Sequence, residues 1–287
     1  MIIDAHQHIW NLEAADYSWL SPALSPINRT MLFEDLAPTL AARGITGSVL
    51  VQAEDNAEDT EVMLDAARRH PQVVAVVAWA PLDRPEELPA RLEYLAGFPV
   101  VRGIRNLFHA RPREWALSPS VDAGLALVAD SGLALDFVTG DPAALADLPR
   151  IIERHPTLRV VIDHLGKPPI GGSLEQRRTW RDLLAACADS PLVHAKVSGL
   201  YSSTGVLADW SIEQVRPFVD DALELFGADR LMYGGDWPIS ELAGGYDRTW
   251  EAMESIAERL DAGERAAVLG DTALRFYGVD GPPRLIA

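Results

Sequence analysis

The sequence predicts an α/β protein, a (β/α)8 TIM barrel. Eight short apolar runs rich in Val, Ile and Leu alternate along the chain with stretches of helical apolar spacing. Near-continuous apolar runs are typical of strands buried on both faces, as in a parallel sheet. Eight β-then-α units within 287 residues fit a barrel better than an open sheet with fewer strands.

Each strand is predicted from its own apolar run. The predicted strands are, in order, residues 2–8, 47–54, 73–82, 100–108, 133–140, 159–166, 192–200 and 230–237. Of the segments between them, 59–71 and 143–156 have a clear helical spacing of apolar residues. Pro71 and Pro156 are expected to follow the ends of these helices, and Gly227 to stop the helix before the last strand.

Domain organisation follows from what separates these units. The chain contains no Gly/Ser-rich linker, charge block or low-complexity tract, so we expect a single domain over residues 1–287. One long irregular stretch, about 10–35, follows the first strand. Loops of this length are usually functional, so it is expected to form a lid or a wall of the binding pocket.

Composition narrows the class of protein. The chain is 48% hydrophobic and 23% charged and lacks an apolar stretch near the roughly 20 residues of a membrane helix. A net charge of −17 argues against a nucleic-acid partner, so a small-molecule ligand is expected, with the oligomeric state left open. The single cysteine, Cys187, fits a reducing compartment, and the N-terminus lacks signal-peptide features. We expect a cytoplasmic protein that does not bind membranes.

Polar residues gather where the predicted strands end, which is where TIM barrels carry their active sites. These residues are His6, His8, Gln52, Glu54, Trp79, Arg102, Arg105, Asp136, Asp163, His164, Lys196, Ser198, Asp236 and Trp237. An HxH pair alone is a weak signal. The pair His6 and His8 at the first strand, with His164 at the sixth and Asp236 at the eighth, is much harder to obtain by chance. The other histidines, His70, His109, His155 and His194, are expected to be ordinary hydrogen-bonding partners.

Five motifs resemble a known family. The segments DAHQHIW, DYSWL, IDHLGKP, KVSGL and LMYGGDWP, which lie between residues 4 and 238, resemble the amidohydrolase superfamily. Within it they resemble the lactonase group that contains L-fuconolactonase, L-rhamnonolactonase and 2-pyrone-4,6-dicarboxylate lactonase. The first and last motifs are more similar to the sugar-lactonase branch than to the metal-dependent decarboxylases of the same fold. The resemblance implies that His6, His8, His164 and Asp236 occupy catalytic positions.

The chain departs from the two-metal pattern of this superfamily. That pattern implies a Lys or Glu on the fourth strand and a His on the fifth, but the sequence has RGIRNLF and LALDFVTG there. A two-metal site is therefore not expected. His6, His8 and Asp236, even with Asp136 as a stand-in, form an incomplete set for tight tetrahedral zinc. We expect that no cofactor is required and that His6, His8 and Asp236 bind at most one divalent metal, such as zinc, weakly.

These residues suit the hydrolysis of an activated ester. A lactone carbonyl is electrophilic enough for a positioned base and oxyanion donors to suffice. In this interpretation Asp236 takes a proton from water, and His6, His8 and His164 polarise the carbonyl. Further residues are candidates for binding the sugar ring, each with a structural role as the alternative. They are Arg105, Lys167, Lys196, Gln52 and Trp79 for the hydroxyls, and Trp19 and Trp237 for the sugar face.

The expected function is hydrolysis of a small sugar lactone, such as L-fucono- or L-rhamnono-lactone, to the sugar acid. Three alternatives remain open at this point. The first is a lactonase for a dicarboxylate of the pyrone type, and the second is a zinc-dependent decarboxylase or hydrolase on the same fold. The third is a non-catalytic barrel that binds a sugar acid, since fold alone does not imply catalysis.

Overall fold

The structure is a computed structural model that describes residues 1–204 and 207–279, so positions 205, 206 and 280–287 of the expected domain lie outside the described residues. Eight strands form one parallel sheet whose order follows the sequence. They are β1 (Ile3–Gln7), β2 (Gly47–Val51), β3 (Val73–Ala78), β4 (Val101–Asn106), β5 (Ala134–Phe137), β6 (Val160–Ile162), β7 (Val193–Val197) and β8 (Leu231–Tyr233). The barrel prediction is confirmed. Each strand ends earlier than predicted, because the last residues of each predicted strand belong to the following loop.

A helix follows each strand in the described part of the chain, as the alternating pattern predicts. These are α1 (Phe33–Ala42), α2 (Ala57–Arg69), α3 (Leu88–Ala96), α4 (Pro119–Ser131), α5 (Leu148–Arg154), α6 (Leu174–Ala188), α7 (Ile212–Phe226) and α8 (Tyr246–Ala257). The predicted stops are confirmed: α2 and α5 end two residues before Pro71 and Pro156, and Gly227 follows α7 with a φ of 70°. At the other end of α2, the Asn56 side chain accepts the backbone N–H of Asp59 and caps the helix.

The barrel closes through the loop that follows β8. The backbone N–H of Asp236 donates to the carbonyl of His6 at 2.8 Å, and the N–H of His8 donates to the carbonyl of Trp237 at 2.7 Å. The loop GGDW therefore continues the ladder beside β1. This closure places the first and last predicted catalytic segments side by side.

The N-terminal end of the barrel is covered by the segment after α9 (Ala262–Ala266), which consists of the helical turn Ala267–Asp271 and α10 (Thr272–Tyr277). The interior side chains of the strands form a small core of their own, and Phe276 and Tyr277 of α10 pack against it. The larger core lies between the strands and the surrounding helices. With one end covered in this way, the C-terminal ends of the strands remain as the open face of the barrel.

The stretch 10–35 has little regular structure apart from a 3-10 turn at Pro22–Leu24, and α1 begins within it at Phe33. Trp10 anchors the stretch: its fully buried indole donates to the carbonyl of Arg29, and its backbone pairs with Met31. Among the described residues, none of the helices combines the length and apolarity needed to span a bilayer.

Candidate active site

A cavity of about 500 Å³ opens at the C-terminal ends of the strands. Six of the residues predicted for the site line it: His8, Trp19, Arg105, His164, Lys167 and Asp236. This size falls in the usual range for small-molecule sites. The open face of the barrel therefore carries a pocket that brings together residues 228 positions apart in the chain, from His8 to Asp236.

Two imidazoles and a carboxylate meet at the floor of this cavity: His8 and Asp236 line it, and the fully buried His6 lies against both of them. The Nε2 atoms of His6 and His8 lie 3.1 Å apart, and Asp236 Oδ1 lies 3.7 Å and 3.5 Å from them. His8 Nδ1 is 2.7 Å from the carbonyl of Val51, so it carries the proton and donates it there. The HxH pair of β1 thus converges on Asp236, as its position at the end of the strand predicts.

His164 completes the set from the loop after β6. Its ring centroid lies 4.7 Å from that of His6, and its Nδ1 is 2.9 Å from the hydroxyl of Ser198. Both His164 and Asp236 have left-handed backbone conformations, with φ of 55° and 54°. Such conformations are strained for residues other than glycine and tend to cluster at functional sites. The backbone here is bent so that both side chains point to one place.

Asp236 is a buried carboxylate that stays ionised. Burial alone would raise its pKa, but the nearby imidazoles of His164, His8 and His6 outweigh it and hold the pKa of Asp236 well below the usual value. Burial lowers the pKa of His164 to about 4 and takes that of His6 well below its usual value. At neutral pH the site therefore holds a negative carboxylate beside two neutral imidazoles.

Asp4 connects the segment of His6 and His8 to the segment of Asp236. Its carboxylate accepts the backbone N–H groups of His6 (3.0 Å) and Gly235 (2.9 Å), together with the hydroxyl of Tyr246 (2.7 Å). It is completely buried. Asp4 opens the motif DAHQH but follows only one residue of β1, so its position in the sequence carries no sign of this role.

A network of buried charges lies beneath the cavity. Asp163 pairs with Arg105 Nε at 2.9 Å and with Lys196 Nζ at 3.2 Å, and Lys196 also pairs with Asp136 at 2.5 Å. His6 Nδ1 is in contact with both Lys196 Nζ (3.1 Å) and Asp163 Oδ1 (3.2 Å). Two cations and two carboxylates thus neutralise each other around the base of His6.

This network bears on the two roles considered for Lys196. We expected it to bind sugar hydroxyls, but the side chain is fully buried within β7 and its ammonium is engaged by two carboxylates. The predicted seventh strand runs to residue 200 and the observed β7 ends at Val197, so Lys196 lies inside the strand in both. Its position favours the structural alternative that we left open.

Three other residues expected to bind the ring also lie outside the cavity lining. Gln52 is fully buried, donates to Asp55 Oδ1 at 2.9 Å and accepts from Arg105 at 3.3 Å. The Trp79 ring packs under the guanidinium of Arg84, and Trp237 is buried in the large core. Each of these three side chains is therefore engaged by other parts of the protein and not by the cavity.

The stretch 10–35 forms one wall of the cavity through Ser18 and Trp19. Glu54 Oε2 accepts both the backbone N–H (2.8 Å) and the hydroxyl (3.0 Å) of Ser18, and the Trp19 indole donates to the carbonyl of Ala53 (3.0 Å). The wall is therefore fastened to the loop after β2, which carries Glu54 into the pocket.

Some residues of the site were missed by the sequence interpretation. His109 was expected to be an ordinary hydrogen-bonding partner, yet it lines the cavity, as do Thr139 and Ser202. Tyr201, in the loop after β7, donates its hydroxyl to Asp236. His109 lies three residues beyond the end of β4. A search of the whole loop after each strand, rather than of the strand end alone, would have found both His109 and Tyr201.

The floor residues have a geometry that can hold one metal ion. Donors bound at about 2.0–2.1 Å in a tetrahedron lie roughly 3.3–3.4 Å apart. The separations among His6 Nε2, His8 Nε2 and Asp236 Oδ1 are 3.1, 3.5 and 3.7 Å. His164 also lies within reach of His6 and Asp236. A mononuclear site on these residues fits, whereas Asp136 is engaged by Lys196 and by the hydroxyl of Tyr277.

Comparison with known proteins places this arrangement in a family. The model of the amidohydrolase family matches residues 3–279. The chain belongs to the amidohydrolase family. It is therefore a hydrolase, and the family resemblance inferred from the five motifs is confirmed.

Close relatives of this amidohydrolase have been named or solved. L-fucono-1,5-lactonase of Burkholderia ambifaria is 38% identical over 98% of this chain and 96% of the relative. L-fucono-1,5-lactonase of Burkholderia multivorans is 32% identical over 98% of this chain and 97% of the relative. A crystal structure of an amidohydrolase from Burkholderia multivorans with bound zinc superimposes with a TM-score of 0.91 at 31% identity, covering 97% of this chain and 99% of the other.

Proposed function

We propose that this amidohydrolase opens the ester of a small sugar lactone, of the L-fucono- or L-rhamnono-lactone type, to give the sugar acid. The observation that carries the proposal is the ionised Asp236 facing three imidazoles at the floor of the cavity. The two relatives named L-fucono-1,5-lactonase, which align with nearly the whole chain, support the same reaction.

Asp236 acts as the general base. Its carboxylate takes a proton from a water molecule as the water oxygen attacks the lactone carbonyl, which gives a tetrahedral oxyanion. Nε2 of His8, which carries no proton and lies 3.5 Å from Asp236 Oδ1, accepts the Nε2–H of His6 at 3.1 Å. When the lactone carbonyl takes that N–H, His8 Nε2 becomes a second acceptor that orients the same water. The tetrahedral intermediate then collapses by breaking the bond to the ring oxygen. The proton held by Asp236 passes to the departing alkoxide, so the carboxylate is restored.

His6 and His164 stabilise the oxyanion. Because an ammonium can only donate, the contact of Lys196 with His6 Nδ1 leaves the His6 proton on Nε2, which faces the site. A hydroxyl of Ser198 that donates to His164 Nδ1 has the same effect on His164. Each neutral imidazole then presents one N–H to the carbonyl oxygen. Of the three imidazoles expected to donate, His8 is thus reassigned to holding the water.

A metal ion would be held by His6, His8 and Asp236. When bound, it would supply Lewis-acid polarisation of the carbonyl. Binding at His6 Nε2 requires the other tautomer of His6, with the Nδ1 proton directed to Asp163 Oδ1 at 3.2 Å. We propose that turnover does not depend on the metal, because the alternative tautomer lets the same side chains act as donors.

The charges around the cavity favour a neutral substrate over a dicarboxylate. Its cationic side chains in the described part of the chain are Arg105, already paired with Asp163, and Lys167, which contacts the hydroxyl of Ser202. Glu54 and Asp236 oppose them with two negative charges. A dicarboxylate of the pyrone type calls for two unpaired cations, and the described lining of the cavity does not supply two. Arg105, Lys167, Thr139 and Ser202 instead offer hydrogen bonds to ring hydroxyls, and Trp19 offers an aromatic wall.

A pH-indicator assay tests this function, because opening any lactone releases a proton. The panel contains L-fucono- and L-rhamnono-lactones, other hexono- and pentonolactones, and 2-pyrone-4,6-dicarboxylate. We expect acceleration well above the blank for one or more neutral sugar lactones and little for the dicarboxylate. Turnover of the pyrone dicarboxylate alone would transfer the protein to the sister activity. Release of carbon dioxide from an aromatic acid, or sugar-acid binding with no turnover of any lactone, would overturn the proposal.

A further inference from the structure

Tyr201 is a buried residue that contacts the reacting carboxylate from behind. It lies on the short 3-10 turn Leu200–Ser203 after β7 and is 3% exposed. Its hydroxyl donates to Asp236 Oδ2 at 2.8 Å and lies 3.3 Å from the backbone carbonyl of the same residue. Tyr201 is absent from the lining of the catalytic cavity. Tyr201 therefore does not touch a substrate in that cavity and acts on it only through Asp236.

The contact makes the two oxygens of Asp236 different. Oδ2 is held by the phenol, whereas Oδ1 faces the imidazoles of His6 and His8 across the floor of the cavity. Burial and the Asp236 carboxylate raise the pKa of Tyr201 well above its usual value, so the phenol keeps its proton and remains a donor. The oxygen that can accept a proton from water is thus the one that Tyr201 leaves free.

The ring of Tyr201 is itself fixed in place. It packs beside Trp210 with ring centroids 6.2 Å apart, and the Trp210 indole donates to the carbonyl of Ala243. Both side chains are buried. The phenol of Tyr201 is therefore held in one position. Without this donor, the carboxylate of Asp236 would be free to rotate about its side-chain bonds.

We propose that Tyr201 is a positioning residue for the general base: it anchors Oδ2 of Asp236 and thereby directs Oδ1 at the water that attacks the lactone. The inference rests on the proposed function, because it requires Asp236 to be the base. Misplacing a reacting group by about 1 Å can lower a rate by as much as roughly 100-fold. Loss of one anchoring hydrogen bond is expected to lower it less, by about tenfold.

The test uses Tyr201→Phe, which removes only the hydroxyl oxygen, and Tyr233→Phe as a matched control. Tyr233 is an equally buried tyrosine on β8 that packs against Trp250, and its hydroxyl interacts with Tyr246 and Thr249 instead of Asp236. With the best lactone of the panel, Tyr201→Phe is expected to lower kcat about tenfold and to leave KM within about twofold. Tyr233→Phe is expected to keep both constants.

A double-mutant cycle separates positioning from general support of the fold. If Tyr201 acts through Asp236, Tyr201→Phe should slow the Asp236→Asn enzyme by less than about twofold, because the group that it positions no longer accepts a proton. Independent structural damage would instead multiply the two losses. An unchanged kcat in Tyr201→Phe, or a rise in KM with kcat intact, would overturn the inference.

The cycle also distinguishes failure of the inference from failure of the proposed function. Normal turnover by Asp236→Asn would remove the base itself, and the assignment of Tyr201 with it. A slow Asp236→Asn enzyme together with a fully active Tyr201→Phe enzyme would reject Tyr201 alone. Thermal unfolding of every variant shows whether a loss of rate reflects a loss of folded protein.

Discussion

Gly199 leaves the space that Asp236 occupies: a methyl group at position 199 would lie 2.6 Å from Asp236 Oδ2. The same methyl would lie 2.6 Å from His164 Nδ1. Real side-chain carbons do not approach other atoms so closely, so Gly199→Ala should push the base and the imidazole apart. We expect the variant to fold and to lose at least about 100-fold in kcat, measured with the best lactone of the panel.

Backbone strain at Gly199 can be separated from this collision. Gly199 has a φ of 56°, and alanine in this region costs roughly 1–2 kcal/mol. Gly132 follows α4 with a φ of 75°, and a methyl group there would meet none of the described atoms within 4 Å. Gly132→Ala should therefore lose similar stability but keep its activity. Equal activities of the two variants would show that the contact between Gly199 and Asp236 is not needed.

Asp236→Asn tests the base directly. The amide keeps the size of the side chain but cannot accept the proton of water, and positioned acid/base catalysis contributes roughly 10²–10⁴-fold to a rate. We expect kcat to fall by at least about the lower of these factors while the melting temperature stays near that of the parent. Near-normal turnover by well-folded Asp236→Asn protein would leave His164 as the next candidate base.

Sequence patterns located the strands and the floor of the site but not the direction of every side chain. His6, His8, His164 and Asp236 were identified because strand ends of a barrel converge, which is a property of the fold. Lys167 follows the predicted sixth strand and Lys196 lies inside the predicted seventh, but these positions alone do not show which ammonium group reaches the cavity. Lys167 lies in the loop and reaches the cavity, whereas Lys196 lies inside β7 and points into the charge network. Only the packing around each side chain separates them.

The missed contacts share a physical cause. Tyr201 and Asp4 act through hydrogen bonds that reach partners 35 and 231 positions away, Asp236 and Gly235. Neither a tyrosine nor an aspartate is unusual at these positions, so no local sequence pattern predicts these hydrogen bonds. The sequence shows that a loop begins, but the path of the loop depends on packing against loops from other strands. The predicted compartment and the metal requirement likewise stay predictions.

The two lysines should respond differently to the same substitution. Lys196→Met leaves Asp136 and Asp163 buried without their shared cation, and breaking a buried pair usually costs about 3–5 kcal/mol. We expect a marked fall in the free energy of unfolding, measured by urea titration. Lys167→Met is the matched control: it should raise KM for the lactone and leave the unfolding midpoint almost unchanged. A stable Lys196→Met protein would show that the network is not required for folding.

Stability should decline as the pH falls from about 6.5 towards 4. Burial lowers the pKa of His194 to about 4, and the guanidinium groups of Arg230 and Arg159 act in the same direction. The unfolded chain takes up this proton near pH 6.5, before the folded chain does, so acid favours unfolding. His194 packs against Phe276, at the covered end of the barrel. His194→Gln should weaken this decline in stability without changing turnover at neutral pH. The measurement is the urea midpoint of unfolding as a function of pH, and the same pH dependence in the parent and the variant would contradict the prediction.

Removal of metal tests whether the histidine pair of β1 works without an ion. His6 Nδ1 contacts both the ammonium of Lys196 and the carboxylate of Asp163, so His6 has a tautomer that donates into the site and another that leaves Nε2 free for a metal. Occupancy by zinc would therefore not establish a need for it. We expect protein stripped with a strong chelator, and shown to be metal-free by elemental analysis, to keep most of its lactone turnover. Added zinc should then change the rate little. A loss of activity that stoichiometric zinc or manganese restores would make His6, His8 and Asp236 ligands of a required ion, because the donor tautomer of His6 would then be insufficient for the reaction.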